Sequence, residues 1–171
     1  MTPSSTTSSA KEEGGKNQGE IVAWSMEWLF RARGMMPTYA EWYRAGKLRW
    51  CSGFAGRCFL EVGVHVTPYW AASCNDLLVR LLRRSRREGD WLVRRWPCDL
   101  AIGDVVFFGD GPHELSEFPE RLDLDHVEIG QKMESSILYS VGGNTGPGGV
   151  SNQVARMERG DPPIYATARA L

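Results

Sequence analysis

The sequence has few cysteines and no long run of apolar residues. Its 171 residues include four cysteines, and none of their spacings forms the CxxC pairs typical of a structural zinc site. No segment approaches the roughly 18 to 20 apolar residues that span a bilayer, and the first 15 residues lack the apolar stretch of a secretory signal. We therefore predict free thiols, no metal, no cofactor, no membrane span, and synthesis in the cytoplasm.

The chain also carries little net charge, with a formal value of -1. This balance gives no overall attraction to nucleic acid or to anionic membranes. The local exception is the arginine strip, which we define as the seven arginines within Arg80–Arg95. The acidic segment Asp110–Asp125 is its expected partner within the chain. The alternatives are a solvated helix face, or a surface that binds an anionic polymer or an acidic partner.

Nucleotide-binding signatures are missing as well. The sequence has no GxxxxGK[ST] phosphate loop. Its glycine-rich segment Gly142–Gly149 leads into the β-prone residues Val150–Val154 and not into a helix, which argues against a dinucleotide site.

Helical patterns occupy the first half of the chain. Residues 1–15 are polar and of low complexity, which predicts a flexible leader, and residues 16–171 are expected to form a single domain. Apolar residues spaced three and four apart predict a helix over Gly19–Arg33, another that begins at or next to Cys51, and a third over about Ser73–Arg87.

Strand patterns dominate after Gly89. Five short β-prone runs are separated by Gly, Pro and Asp clusters, which is typical of an antiparallel sheet. They are Val105–Phe108, Leu124–Ile129, Ile137–Val141, Val150–Val154 and Ile164–Thr167. Helices followed by strands indicate an α+β fold.

One thiol lies in an environment that favours a nucleophile. Cys51 is expected at a helix N-terminus, where the dipole and unpaired N–H groups stabilise a thiolate, and Lys47 and Arg49 add positive charge nearby. The same N–H groups are suited to an oxyanion. A small buried core residue is the alternative interpretation for Cys51. The other three cysteines are expected in the core: Cys58, Cys74 and Cys98.

A cysteine hydrolase also needs a base and a group that orients it. Three histidines compete for the first role. His126 lies in an alternating strand and is therefore held rigidly, whereas His113 follows Gly111-Pro112 in a loop and His65 follows the predicted Cys51 helix. Asn144 follows the next β-prone run and is the candidate orienting residue, although an Asn among glycines is also typical of a turn.

The motifs around these residues resemble those of the CHAP family, the cysteine, histidine-dependent amidohydrolases and peptidases. Five of them occur in the family's order and together cover about Gly14 to Arg156. Gly14-Gly-Lys-Asn-Gln-Gly19 resembles the family's Gly-x-x-Asn-x-Gly, and Trp50-Cys51-Ser-Gly-Phe54 resembles its Trp-Cys-Ala-x-Phe. Ile102-Gly-Asp-Val105 resembles Pro-Gly-Asp followed by a hydrophobic residue. His126-Val-Glu-Ile129 resembles His-Val-Gly-Ile, and Gly143-Asn144 resembles the end of Glu-Gly-Asn.

The resemblance implies a papain-like fold in which N-terminal helices pack on a C-terminal antiparallel sheet. It implies Cys51 as nucleophile, His126 as base and then acid, and Asn144 as the orienting residue, with Trp50 and Gly143 in contact with substrate. The chain departs from the family at Gly142, where many members have Glu. Asp125 and Glu128 are the candidates to replace that carboxylate, although strand alternation sends Asp125 to the face opposite His126.

The resemblance implies hydrolysis of an amide in peptidoglycan through a thioester acyl-enzyme. The bond is either the muramoyl-alanine amide or a peptide cross-link. A phage-type lysin or a delivered toxin, acting on the cell wall after lysis or delivery, fits these features. Two alternatives stay open: a catalytically inactive binding or structural module of the same fold, and a cysteine amidase with a substrate outside the wall.

Overall fold

The structure, a computed structural model, describes residues 9–11, 51–64, 73–135, 137–145, 153–160 and 163–171. These residues form two α-helices and an antiparallel sheet, so the fold is α+β. In chain order the elements are β1 (Ser9–Lys11), α1 (Cys51–Glu61), α2 (Cys74–Arg87), β2 (Trp91–Arg95), β3 (Val105–Asp110), β4 (Asp123–Glu134), β5 (Ile137–Thr145), β6 (Gln153–Gly160) and β7 (Ile164–Ala170). The helix predicted over Gly19–Arg33 lies outside the described residues.

Both helices begin where the sequence places their first turns. Helix α1 starts at Cys51. Helix α2 is capped by Ser73, whose side chain accepts the backbone N–H of Asp76. Capping of this kind satisfies an N–H that has no partner within the helix. The start of α2 is therefore fixed locally.

The apolar spacing that predicts α2 corresponds to a leucine stripe, and this stripe is the buried face of the helix. It consists of Leu77, Leu78, Leu81 and Leu82, none more than 4% exposed. These side chains lie in or beside a core that also contains Phe107 of β3 and Val127 of β4. Helix α1 contributes Phe54 and Ala55 to the same core and packs against β4 and β5.

The sheet has the strand order β1-β6-β5-β4-β3-β7-β2, and every pairing is antiparallel. Strand β4 therefore lies at its centre. Strand β3 is a continuous apolar run because both of its faces are buried. Val105 and Phe107 belong to the main core, whereas Val106 and Phe108 belong to a second cluster with Leu138.

The structure adds two strands to the five that the sequence predicts. Ser9–Lys11, within the first 15 residues, pairs with β6 through Gln153, Val154 and Ala155. Trp91–Arg95 was not predicted as a strand, but it pairs with β7 at the opposite edge of the sheet. The sequence does not alternate between apolar and polar residues there, because two arginines follow the apolar residues directly. The five predicted strands are present, and their C-terminal ends lie up to six residues beyond the predicted ones.

A buried carboxylate holds the residues at the start of β3. Asp104 is 1% exposed and accepts the backbone N–H of Ala101 at 2.8 Å. It also accepts hydrogen bonds from Nε and Nη2 of Arg169 on β7, at 2.6 and 2.8 Å. Two hydrogen bonds from one guanidinium hold a carboxylate firmly. The Gly-Asp motif at Gly103-Asp104 therefore ties the start of β3 to the end of β7.

The arginine strip meets the predicted acidic segment at Glu117. The Glu117 carboxylate forms ion pairs with Arg83 and Arg86. Arg84 instead pairs with Glu88 and Asp90. Part of the strip is thus neutralised within the chain. No helix of the described part of the chain is long and apolar enough to cross a membrane.

Candidate active site

The Cys51 thiol lies at the N-terminus of α1 and is fully buried. Strands β4 and β5 begin their pairing at Ile129 and Val141, so the earlier residues of β4 are not paired with β5. The backbone N–H of Val127 is directed to the thiol there. The nucleophile candidate thus lies where these two strands separate.

Three groups favour the thiolate form of Cys51 against the cost of burial. The largest effect is the hydrogen bond with the Cys74 thiol; the His126 imidazole adds a hydrogen bond and its charge, and Val127 adds its N–H. Together they hold the pKa of Cys51 well below its usual range. Cys58 shows the opposite behaviour, since burial and Glu61 raise its pKa to about 11. We therefore expect the two thiols of α1 to differ in reactivity.

His126 reaches this thiol from the centre of the sheet. It lies on β4 opposite Phe108 of β3, and the two rings are tilted with centroids 6.3 Å apart. Burial opposes a charge on the imidazole, but the hydrogen bond with Cys51 and the negative charges of Cys51 and Glu128 outweigh it and raise the pKa of His126 to about 9. The arrangement therefore favours a thiolate beside an imidazolium.

Glu128 is the second partner of the imidazole. Strand alternation puts His126 and Glu128 on one face of β4, and His126 Nε2 lies 3.2 Å from Glu128 Oε1. The separation is that of an ion pair, without the alignment of a direct hydrogen bond. Because Nε2 faces Glu128, Nδ1 remains for proton exchange with Cys51. Glu128 is fully buried, and Ser140 on β5 donates its hydroxyl to Glu128 Oε2.

Gly142 provides the space that Glu128 occupies. A Cβ atom at position 142 would lie 2.6 Å from Glu128 Cγ, 3.2 Å from Glu128 Oε1 and 3.2 Å from His126 Nε2. Contacts of 2.6 Å are not tolerated between carbon atoms. Position 142 thus leaves open the space beside the imidazole, and the Glu128 side chain from the neighbouring strand fills it.

Cys74 is the functional candidate that the sequence analysis missed. Its Sγ lies 3.5 Å from Cys51 Sγ, and it is the first residue of α2. It was expected to be an ordinary core residue. No sequence signal pairs it with Cys51, since the contact depends on how the N-termini of two helices meet.

The remaining predicted residues are placed only in part. Gly143 and Asn144 lie on β5, where Gly143 is opposite Val154 of β6. The side chain of Asn144 lies outside the described part of the structure, as do Trp50 and His65, so their roles stay predictions. His113 is exposed in the loop after β3.

Within the described residues, no three His, Cys, Asp or Glu side chains cluster as metal ligands. Comparison of the chain with family models, curated proteins and solved structures finds no match. The chemistry of the site must therefore be argued from its own residues.

Proposed function

We propose that this chain is a cysteine-dependent amide hydrolase with a papain-like fold. The observation that carries the proposal is the contact between Cys51, at the start of a helix, and His126, on the central strand, with Glu128 beside the imidazole. A nucleophile, a base and a group that holds the base are the parts that covalent acyl transfer requires. The packing of helices on an antiparallel sheet is compatible with this fold.

In the first half of the proposed reaction, the Cys51 thiolate attacks the carbonyl carbon of the amide. The negative charge that develops on the carbonyl oxygen is stabilised by backbone N–H groups at the start of α1. The protonated His126 then donates its proton to the departing amine, because an amide nitrogen leaves poorly as an anion. The products are a free amine and a thioester on Cys51.

In the second half, water replaces the amine. His126, now neutral, accepts a proton from water as the oxygen attacks the thioester, and the acid leaves from Cys51. Glu128 is a positioning residue in both halves, since it touches the imidazole and not the substrate. Its negative charge favours the imidazolium and turns Nε2 away from Cys51.

We propose peptidoglycan as the substrate class, with cleavage of the muramoyl-alanine amide or of a peptide cross-link. The support is the set of five motifs in CHAP order, and in particular Trp50-Cys51-Ser52 and His126-Val127-Glu128. A lysin of phage type, or a toxin delivered to the wall, is the corresponding biological role.

The direct test is digestion of purified peptidoglycan, with mass assignment of the released fragments. The unmodified chain is expected to release new amino groups and soluble muropeptides, whereas Cys51→Ala is expected to release none. Cys58→Ala is the matched control, because this thiol lies on the same helix but is not activated. Activity that survives in Cys51→Ala would contradict the proposal, and cleavage of other amides but not of peptidoglycan would redirect the substrate class.

A second candidate is an inactive binding or structural module. It is favoured by the complete burial of Cys51, since a substrate carbonyl has to reach Sγ. Alkylation of the native protein with iodoacetamide separates the two candidates. Labelling of Cys51 under native conditions supports the hydrolase, whereas labelling only after denaturation supports the inactive module.

A further inference from the structure

Two of the four cysteines form a close pair in the core. Cys51 and Cys74 are 23 positions apart in the sequence, yet their sulfur atoms are 3.5 Å apart. Both are free thiols, and they are 0% and 4% exposed. Cys58 and Cys98 have other surroundings: Cys58 packs against the main core, and Cys98 Sγ contacts Thr167 Oγ1 at 3.2 Å.

The pair combines a reactive sulfur with a second sulfur that is already in contact. Thiolates react with peroxides, and a sulfenic acid condenses with an adjacent thiol before it is oxidised further. A disulfide bond of about 2 Å requires the two sulfurs to approach by roughly 1.5 Å. Each thiol belongs to the first residue of its helix, so this approach involves the ends of the helices and not their interiors.

We propose that Cys51 and Cys74 form a peroxide-sensitive dithiol, in which Cys51 is oxidised first and Cys74 then closes the disulfide. The proposal concerns oxidation of the protein itself and does not require the amide hydrolysis proposed above. Where that hydrolysis operates, the disulfide removes its nucleophile, and a dithiol reductant restores it.

The steps balance with hydrogen peroxide as the oxidant. The Cys51 thiolate attacks one oxygen of the peroxide, the O–O bond breaks, and the hydroxide that leaves takes a proton from His126 and becomes water. The Cys74 sulfur then attacks the sulfenic sulfur of Cys51. The S–O bond breaks as the S–S bond forms, and the hydroxyl group leaves with the Cys74 proton as a second water. The two thiols have lost two electrons, and the peroxide has gained them.

The test uses the full chain, reduced and then exposed to a short pulse of hydrogen peroxide. Remaining thiols are alkylated, the protein is digested without reductant, and the peptides are identified by mass spectrometry. We expect a cross-linked peptide that joins Cys51 to Cys74, while Cys58 and Cys98 stay alkylated. Dithiothreitol should return both thiols. If Cys51 remains free, or if the cross-link joins Cys58 or Cys98 instead, the proposal is wrong.

Two variants test whether Cys74 is the sulfur that closes the disulfide. In Cys74→Ser the resolving sulfur is missing, so Cys51 should accumulate as the sulfinic acid, which dithiothreitol does not reverse. Cys58→Ser is the matched control and should form the Cys51–Cys74 disulfide as the unmodified chain does. Equal sulfinic acid formation with and without Cys74 would overturn the role of Cys74. The cross-link in the unmodified chain decides the matter even if Cys74→Ser fails to fold. Since every readout is a mass, failure of peptidoglycan digestion leaves this result unaffected.

Discussion

His126 Nε2 lies 3.2 Å from Glu128 Oε1, and both side chains belong to the same strand. Residues two apart on a strand share a face, so the imidazole and its carboxylate are positioned by a single element. The Glu128 side chain has room beside the imidazole because position 142 on the next strand is glycine. The base and its partner therefore depend on β4 for position and on β5 for room.

Replacement of this carboxylate is expected to weaken the nucleophile. Glu128→Gln keeps the size of the side chain but removes the negative charge that raises the pKa of His126. The imidazolium then forms less readily, and the Cys51 thiolate loses part of its stabilisation. We expect turnover to fall by about 10- to 1,000-fold. We also expect the rate of alkylation of Cys51 by iodoacetamide to reach its half-maximum at a higher pH than in the unmodified chain.

Asp125→Asn is the matched control for this variant. Asp125 is an exposed carboxylate on the same strand, directly before His126. We expect the pH dependence of Cys51 alkylation to be unchanged in Asp125→Asn. Equal shifts in the two variants would mean that general charge, and not the contact with His126, controls the thiol.

Gly142 is expected to tolerate no side chain while Glu128 is present. In Gly142→Ala the new methyl group would lie 2.6 Å from Glu128 Cγ, so the carboxylate must move away from the imidazole. Overpacking of this kind costs about 1 to 3 kcal/mol in the free energy of unfolding. Urea denaturation measures this cost, and alkylation of Cys51 measures the loss of thiolate.

The double variant Gly142→Ala with Glu128→Ala separates a clash from other effects of alanine. With the Glu128 side chain removed, the added methyl group no longer meets it, so the two changes should cost less together than the sum of each alone. Additive costs would show that Gly142 is required for a reason other than the space it leaves for Glu128.

Local signals in the sequence were sufficient for the two described helices and for the strand of the base. The leucine stripe predicts the buried face of α2, and the apolar spacing after Cys51 predicts that α1 begins there. Alternation around His126 predicts a strand and places Glu128 on the same face. Each of these features depends on residues within one or two turns or a few strand positions of one another.

Contacts between distant segments could not be predicted in the same way. The approach of Cys74 to Cys51 depends on the packing of α1 beside α2 and β4. The fit between Glu128 and Gly142 depends on the register of β4 against β5, which is fixed by cross-strand pairing. Ser9–Lys11 is short and has no strand signal of its own, and it joins the sheet by pairing with the edge of β6.

The reactivity of Cys51 should extend to unusually acidic conditions. Its pKa is held well below the usual range by Cys74, His126 and the N–H of Val127, so the thiolate forms as pH rises through that lowered value. The imidazolium persists until pH rises through about 9, the pKa of His126. We therefore expect alkylation of Cys51 well below the pH at which an ordinary thiol reacts. We expect hydrolysis to decline above pH about 9, because neutral His126 cannot protonate the departing amine.

His126→Ala provides the comparison for this pH profile. Removal of the imidazole eliminates its hydrogen bond and its charge, so the half-maximum of Cys51 alkylation should move to higher pH. In the unmodified chain, the His126 ring signals should titrate near pH 9 in an NMR experiment. A titration of His126 near pH 6.5 would contradict the coupled pair of thiolate and imidazolium.

Asp104 is expected to affect stability and not chemistry. Asp104→Asn keeps the shape of the side chain, but its amide group cannot accept both hydrogen bonds from Arg169. We expect the free energy of unfolding to fall by about 2 kcal/mol, the scale of charged hydrogen bonds at a buried acceptor. Urea denaturation checks this value. Glu134→Gln, which removes an exposed ion pair with Lys132, is the control and should change stability little.

Asn144 and Glu128 are rival candidates for the group that orients His126. The sequence predicts Asn144, and the structure places the Glu128 carboxylate beside Nε2. If Glu128 holds the imidazole, Asn144→Ala should reduce turnover by less than Glu128→Gln does, and it should leave the pH profile of Cys51 alkylation unchanged. If Asn144 accepts the imidazole N–H, Asn144→Ala should lower turnover by about 10- to 1,000-fold, and Asn144→Asp should retain much more activity. Measurement of turnover and alkylation in all three variants decides between them. A shifted alkylation profile in Asn144→Ala together with an unshifted profile in Glu128→Gln would assign the orienting role to Asn144.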